Sequence, residues 1–171
     1  MSNFELPVHV NPYQLADKET SLDGVISGSR LERLAQATAG EPSEASATLR
    51  FYRDESNRRV VAGQVKGVAT VQCQRCLNTF GYELAGDFQL ALVYNDEMSK
   101  ALPAHLDALM LLPDEAMDVA EIVEEELLLC LPIHAKHPKG ECRIETQFGE
   151  VGAEQETVKV PNPFDVLKDL K

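Results

Sequence analysis

The chain has 171 residues, 28 acidic against 16 basic side chains and a net charge of −12, with 44% hydrophobic residues. That length suits one domain burying roughly 70% of its unfolded surface, so neither metal nor disulfide is needed merely to fold. The charge argues against laying the whole body on duplex nucleic acid, whose affinity comes from Lys and Arg releasing counterions, and it favours solubility and a basic protein partner.

Residues 4–10 read as a strand with Phe4, Leu6 and Val8 on one side, and residues 22–26 as a second short strand. Ser29 is expected to cap a helix through Ala37, with Leu31, Leu34 and Ala35 at helical spacing. Residues 40–47 are small and polar, which predicts a loop. The middle of the chain is strongly β. Residues 48–53 lead to a long alternation in which Val61, Val65, Ala69 and Val71 share a face opposite Gln64, Lys66, Thr70 and Gln72. A second alternation carries Phe80, Tyr82, Leu84, Phe88, Leu90, Leu92 and Tyr94, and Gly63, Gly67 and Gly86 are expected at bulges or bends. The two runs form a long antiparallel hairpin whose tip is Cys73-Gln74-Arg75-Cys76.

Residues 95–117, with Pro103 and Pro113, read as an irregular connection. Asp118 and Glu121 resemble a capping box that opens a helix to about Cys130, with Val119, Ile122, Val123, Leu127 and Cys130 as its apolar stripe. Glu121, Glu124 and Glu125 are expected to face water, and Leu131-Pro132 ends the helix. The expected organisation is an α+β domain over residues 1–142, a flexible acidic linker over 143–160 and a short amphipathic helix over 161–171. In that domain a twisted antiparallel sheet is covered on one face by the helices near 30–38 and 118–130, with a zinc-knuckle-like Cys/His clasp at a hairpin tip. Phe164, Leu167 and Leu170 share one side of the last helix and could dock on a partner or on their own domain.

Residues 1–14 lack the basic start and apolar run of a secretory signal, and no stretch is long and apolar enough to span a membrane. These features predict a cytoplasmic protein without membrane contact, whose thiols are reduced or metal-bound. All four cysteines and two of the four histidines fall in two clusters, Cys73 and Cys76 in one, Cys130, His134, His137 and Cys142 in the other. Two residues between thiols let one turn aim both sulfurs at a single ion, and the second cluster can complete a tetrahedron; sulfur and imidazole together suit zinc. Cys73, Cys76, His137 and Cys142 are the leading set, because Pro138 and Gly140 give the later pair the loop freedom a site needs. Cys130 and His134 are the alternates, Cys130 doubling as the last apolar position of its helix.

A sulfur-rich site with four protein ligands is closed, so zinc here implies structure rather than catalysis. The chain has no phosphate-cradling glycine loop, no Gly-x-Ser-x-Gly and no His-Glu-x-x-His. No catalytic residue and no small-molecule substrate is therefore assigned. Two basic regions could touch RNA phosphates: Arg50, Arg53, Arg58 and Arg59, interleaved with Phe51 and Tyr52, and Arg75 with Lys136, Lys139 and Arg143 around the clasp.

These residues together resemble a bacterial family, the YceD or large ribosomal RNA subunit accumulation proteins. The likeness runs through Leu6-Pro7-Val8, Val71-Gln72-Cys73-Gln74-Arg75-Cys76, the acidic Val123-Glu124-Glu125-Glu126-Leu127 helix with its Leu131-Pro132 end, and Asn162-Pro163-Phe164-Asp165-Val166-Leu167-Lys168. The resemblance implies a non-enzymatic role in synthesis, processing or stability of 23S ribosomal RNA. It puts Cys73, Cys76 and Cys142 where relatives commonly carry cysteine, His137 where they carry His or Cys, and makes Cys130 an addition. The expected partners are precursor large-subunit RNA, a basic ribosomal protein, or both. Two other functions stay open on the residues: an acidic chaperone for a basic protein outside ribosome assembly, and a thiol-redox protein using its Cys-x-x-Cys.

Overall fold

The computed structural model describes residues 4–40, 42–138 and 140–142. The expected linker over 143–160 and helix over 161–171, with Lys139, Arg143, Phe164, Leu167 and Leu170, lie outside the described residues.

In chain order the elements are β1 (His9–Val10), α1 (Pro12–Asp17), β2 (Ser21–Ser27), α2 (Glu32–Ala37), β3 (Glu44–Arg53), β4 (Arg59–Gln72) and β5 (Thr79–Val93). Then come α3 (Asp96–Lys100), β6 (Asp107–Met110), β7 (Met117–Asp118) and α4 (Val119–Leu129). The fold is α+β, as the sequence predicts. A five-stranded sheet runs β2-β3-β4-β5-β6, and β1 pairs with β7 as a separate two-stranded clip. β2 to β5 are antiparallel, but β6 pairs parallel with β5, so the sheet is mixed. The connection over residues 95–117 is also less irregular than expected. Asn95 caps α3 by accepting from the Met98 N–H, and the chain then returns to add β6 at the edge.

Alternation explains which face the helices cover. Leu49, Phe51, Val61, Val65, Ala69, Leu84, Phe88, Leu90 and Leu92 are buried together with Leu31 and Leu34 and with Val119, Val123 and Leu127 of α4. The opposite face is polar along most of β3 and β4, apart from a small cluster of Val60, Ala91 and Leu106 at one end.

The glycines of β4 and β5 do not mark bulges. Register is unbroken from Val60↔Ala91 to Gln72↔Thr79, and the β3–β4 pairing is equally continuous. Instead they make room. A Cβ on Gly63 would collide with the Phe88 ring, and one on Gly86 would lie 2.7 Å from Cys130 Sγ. The absent side chains let the Phe88 ring and the end of α4 settle onto the sheet.

Four local expectations give way to tertiary contacts, the first being the loop over 40–47, whose residues 44–47 open β3 between β2 and β4. Residues 4–10 do not form one amphipathic strand: Leu6 is 4% exposed but Phe4 is 72% exposed, and residues 4–6 run beside β2 through Leu6 N–H to Val25 O and Val25 N–H to Phe4 O. Ser29 does not cap α2; it lies in the turn Gly28–Arg30, its hydroxyl 3.0 Å from that of Ser27. Glu124 does not face water but is 5% exposed and accepts a hydrogen bond from the Leu34 N–H at 3.0 Å. A further element, besides α3 and β6, carries a sequence signal that went unread. Asn11 caps α1 by accepting from the Gln14 N–H, with Pro12 at the first helical position, a pairing that itself signals a helix start.

Candidate metal centre

The β4–β5 hairpin closes through residues 73–78. Cys73 N–H donates to Asn78 O, and Leu77 N–H donates back to Cys73 O, both at 2.9 Å. Leu77, directly after the second cysteine, takes φ 63°, a left-handed conformation that folds the loop back on itself. Past the end of α4 the chain returns to this loop: Gln74 N–H donates to Ala135 O at 2.9 Å. This backbone bond brings the two ligand-bearing segments side by side, although they are far apart in sequence.

Cys73, Cys76, His137 and Cys142 converge there, their ligand atoms all within 4.8 Å of one another. Cys73 Sγ and Cys142 Sγ are 3.9 Å apart, and Cys76 Sγ is 3.5 Å from His137 Nδ1. A tetrahedral ion with metal–sulfur bonds of ~2.3 Å and a metal–nitrogen bond of ~2.05 Å needs separations of about 3.8 Å (S···S) and about 3.6 Å (S···N). A disulfide needs about 2.05 Å between sulfurs. The spacing therefore fits a shared ion and not a covalent pair. Phe80, the second residue of β5, stacks on the His137 ring with centroids 4.4 Å apart and planes tilted 32°. That contact holds the imidazole with Nδ1 toward the sulfurs.

The thiols differ in electrostatics. Burial alone would push the Cys73 thiol up, but the backbone N–H groups of Cys76, His137 and Arg75 favour its thiolate and bring it down to about 5. For Cys76 the Asn78 N–H favours the thiolate, yet burial and the neighbouring Cys142 and Cys73 sulfurs outweigh it and raise the thiol. Such a split would also suit a thiol-exchange pair. A third sulfur and an imidazole around the same point favour metal. Among the described residues, no further His, Cys, Asp or Glu joins the group.

The two alternates lie elsewhere. Cys130 Sγ sits over Gly86, and its thiol is raised by burial and by Glu126 and Asp87. His134 Nδ1 is 3.0 Å from Gln74 Oε1, so its ring braces the loop from outside.

The basic candidates divide between the two ends of β4, which at ~3.3 Å per residue is roughly 40 Å long. At the far end most are occupied. Arg53 and Arg59 donate to Asp17 at 2.6 and 2.7 Å, and Arg58 to Asp54 at 2.6 Å. Arg50 is exposed and lies over the Tyr52 ring at 5.2 Å. At the clasp end Arg75 leans on the Cys142 sulfur, which raises its already high pKa, while Lys136 is exposed. The sequence offered no signal for the Asp17 pairing, which depends on α1 packing against β3 and β4. The Asp54–Arg58 pair spans the turn between β3 and β4 at helical-turn spacing and was the more legible one.

An α+β domain with a three-cysteine, one-histidine group at a hairpin tip is the class that fold and site define. The family model described as "Large ribosomal RNA subunit accumulation protein YceD" matches residues 61–171. A curated Haemophilus influenzae protein of that same name is 31% identical over 172 residues, covering 100% of this chain and 99% of the relative. The chain belongs to the YceD family. No solved structure matches it. Among the described residues, no helix is long and apolar enough to cross a membrane.

Proposed function

We propose that this chain supports accumulation of large-subunit ribosomal RNA as a binding factor, with a structural zinc ion stapling its hairpin tip. The observation that carries the reading is full-length similarity to a relative named for large ribosomal RNA subunit accumulation. Cys73, Cys76, His137 and Cys142 would hold the ion, which supplies a cross-link between the hairpin and the segment after α4. Four protein ligands leave no open position, which supports binding rather than catalysis.

The partner is precursor 23S RNA or a basic large-subunit protein, met in the cytoplasm. Exposed Arg50 and Lys136 support the RNA form. The net charge of −12 and the ion pairs that occupy Arg53, Arg58 and Arg59 support the protein form. The chain is read as one domain over residues 1–142, with an acidic linker and a terminal helix carrying Phe164, Leu167 and Leu170 beyond it.

Depleting the protein from its own bacterium and measuring the 23S-to-16S RNA ratio tests the function. A falling ratio, rescued by wild type and not by Cys73→Ser, is expected; an unchanged ratio contradicts it. RNA crosslinking lost in Arg50 and Arg75 variants selects the RNA form. Tight binding of a purified large-subunit protein without RNA selects the protein form.

A further inference from the structure

β5 is fifteen residues long, yet β6 pairs with it only from Leu90 to Val93. Along residues 79–89 one side of β5 bonds to β4, and the other side has no backbone partner among the described residues. An open edge is a template for another strand, and proteins commonly guard such edges with lysine or proline. Residues 79–89 (TFGYELAGDFQ) contain no Lys, Arg or Pro.

Acidic side chains outnumber basic ones on both faces of this edge, Lys66, opposite Ala85 on β4, being the basic neighbour. Glu83 and Asp87 are exposed on the face turned away from the helices. On the other face α4 crosses β5, its Cys130 over Gly86, and presents half-buried Glu126. Asp107, the first residue of β6, closes the end of the gap opposite Leu90. Glu126 feels its neighbours: burial first, then Asp107 and Glu125, raises it. Leu129, 79% exposed, adds an apolar patch to the same end of α4. Like-charged strands, including a second copy of this edge, are repelled, while a basic strand gains both backbone hydrogen bonds and charge pairing.

We propose that the open edge of β5, residues 79–89, docks an extended basic segment of a partner protein, which adds to the sheet in line with β6. This deepens the protein-partner form of the function proposed above and rests on that form, but it does not depend on the metal.

The test titrates the full chain with an end-blocked decapeptide of alternating lysine and threonine, and with a glutamate–threonine decapeptide as control. Hydrogen exchange reads residues 79–89, and anisotropy of a labelled peptide reads affinity. The lysine peptide should slow exchange within residues 79–89, bind more weakly as salt rises, and lose at least tenfold in affinity with Asp87→Lys, a surface change checked by an unaltered melting curve. The glutamate peptide should not bind. Four results would overturn the proposal: slow exchange in the free chain of the outward-pointing amides of residues 79–89, those not bonded to β4, protection confined to other strands, equal affinity for wild type and Asp87→Lys, or protection of the same outward-pointing amides by a uridine decamer. Because the assay reads docking on purified protein, it can fail while the 23S-to-16S ratio still falls on depletion, and the reverse.

Discussion

The carboxyl group of Glu124, in the middle of α4, accepts a hydrogen bond from the backbone N–H of Leu34, in the first turn of α2, at 3.0 Å. α2 begins at Glu32, and Leu31 before it offers no side-chain cap, so a neighbouring helix supplies the acceptor that its open N-terminus needs. Glu124→Ala should leave that N–H buried and unpaired and cost about 1–3 kcal/mol in urea unfolding. Glu124→Gln keeps an acceptor and should recover much of the loss. Equal destabilisation by both would show that size, rather than the hydrogen bond, matters at this position.

Gly63 faces the Phe88 ring so closely that any Cβ must displace it. Gly63→Ala should destabilise by roughly 1–3 kcal/mol, as overpacking does. Adding Phe88→Leu should return part of that loss, a positive coupling measurable in a double-mutant cycle. Strict additivity of the two changes would contradict the contact.

Stability should fall in acid through two carboxylates. Hydrogen bonds from Arg59, with the Arg59 and Arg53 charges, hold Asp17 below its usual range despite opposing desolvation. For Asp54, desolvation also opposes, but the Arg58 and Ser56 N–H groups and the Arg58 side chain win and lower it. A carboxyl depressed in the folded state stabilises above its unfolded pKa and loses that contribution as pH falls through the folded value. The Asp17→Asn variant should therefore show a shallower loss of melting temperature on acidification than wild type, and an unchanged slope would argue against the pairing.

Phe80 orients His137 by ring stacking, so its removal should weaken metal binding without removing a ligand. Phe80→Leu is expected to raise zinc release to a competing chelator by about 10-fold, the lower end of what losing a ligand's outer support costs. Tyr82, edge-on to Phe80 and farther along β5, offers a comparison: Tyr82→Leu should leave release nearly unchanged.

Much of this was legible in the residues. Alternation from Val61 to Val71 and from Phe80 to Leu90 fixes the hairpin, because period two puts one set of side chains inside. The Cys-x-x-Cys at its tip followed directly, whereas the spacing left Cys130 and His134 as alternates to His137 and Cys142, the two that lie beside it in the fold. What stayed hidden depends on tertiary partners. Glu124 reads as a solvent-facing acid on a helix, and nothing local reveals that α2 lacks a cap. Gly63 and Gly86 read as bulges because the ring and the sulfur they admit come from other elements. β6 escaped notice because four residues with one half-buried side chain carry too little pattern to stand out from a connection.

The most direct test of the account is zinc content per chain, measured by elemental analysis of protein purified under reducing conditions. One equivalent is predicted for wild type, Cys130→Ser and His134→Ala, and none for Cys73→Ser or Cys142→Ser. Zinc-free wild type, or a full equivalent retained by Cys142→Ser, would contradict the clasp on which the account rests.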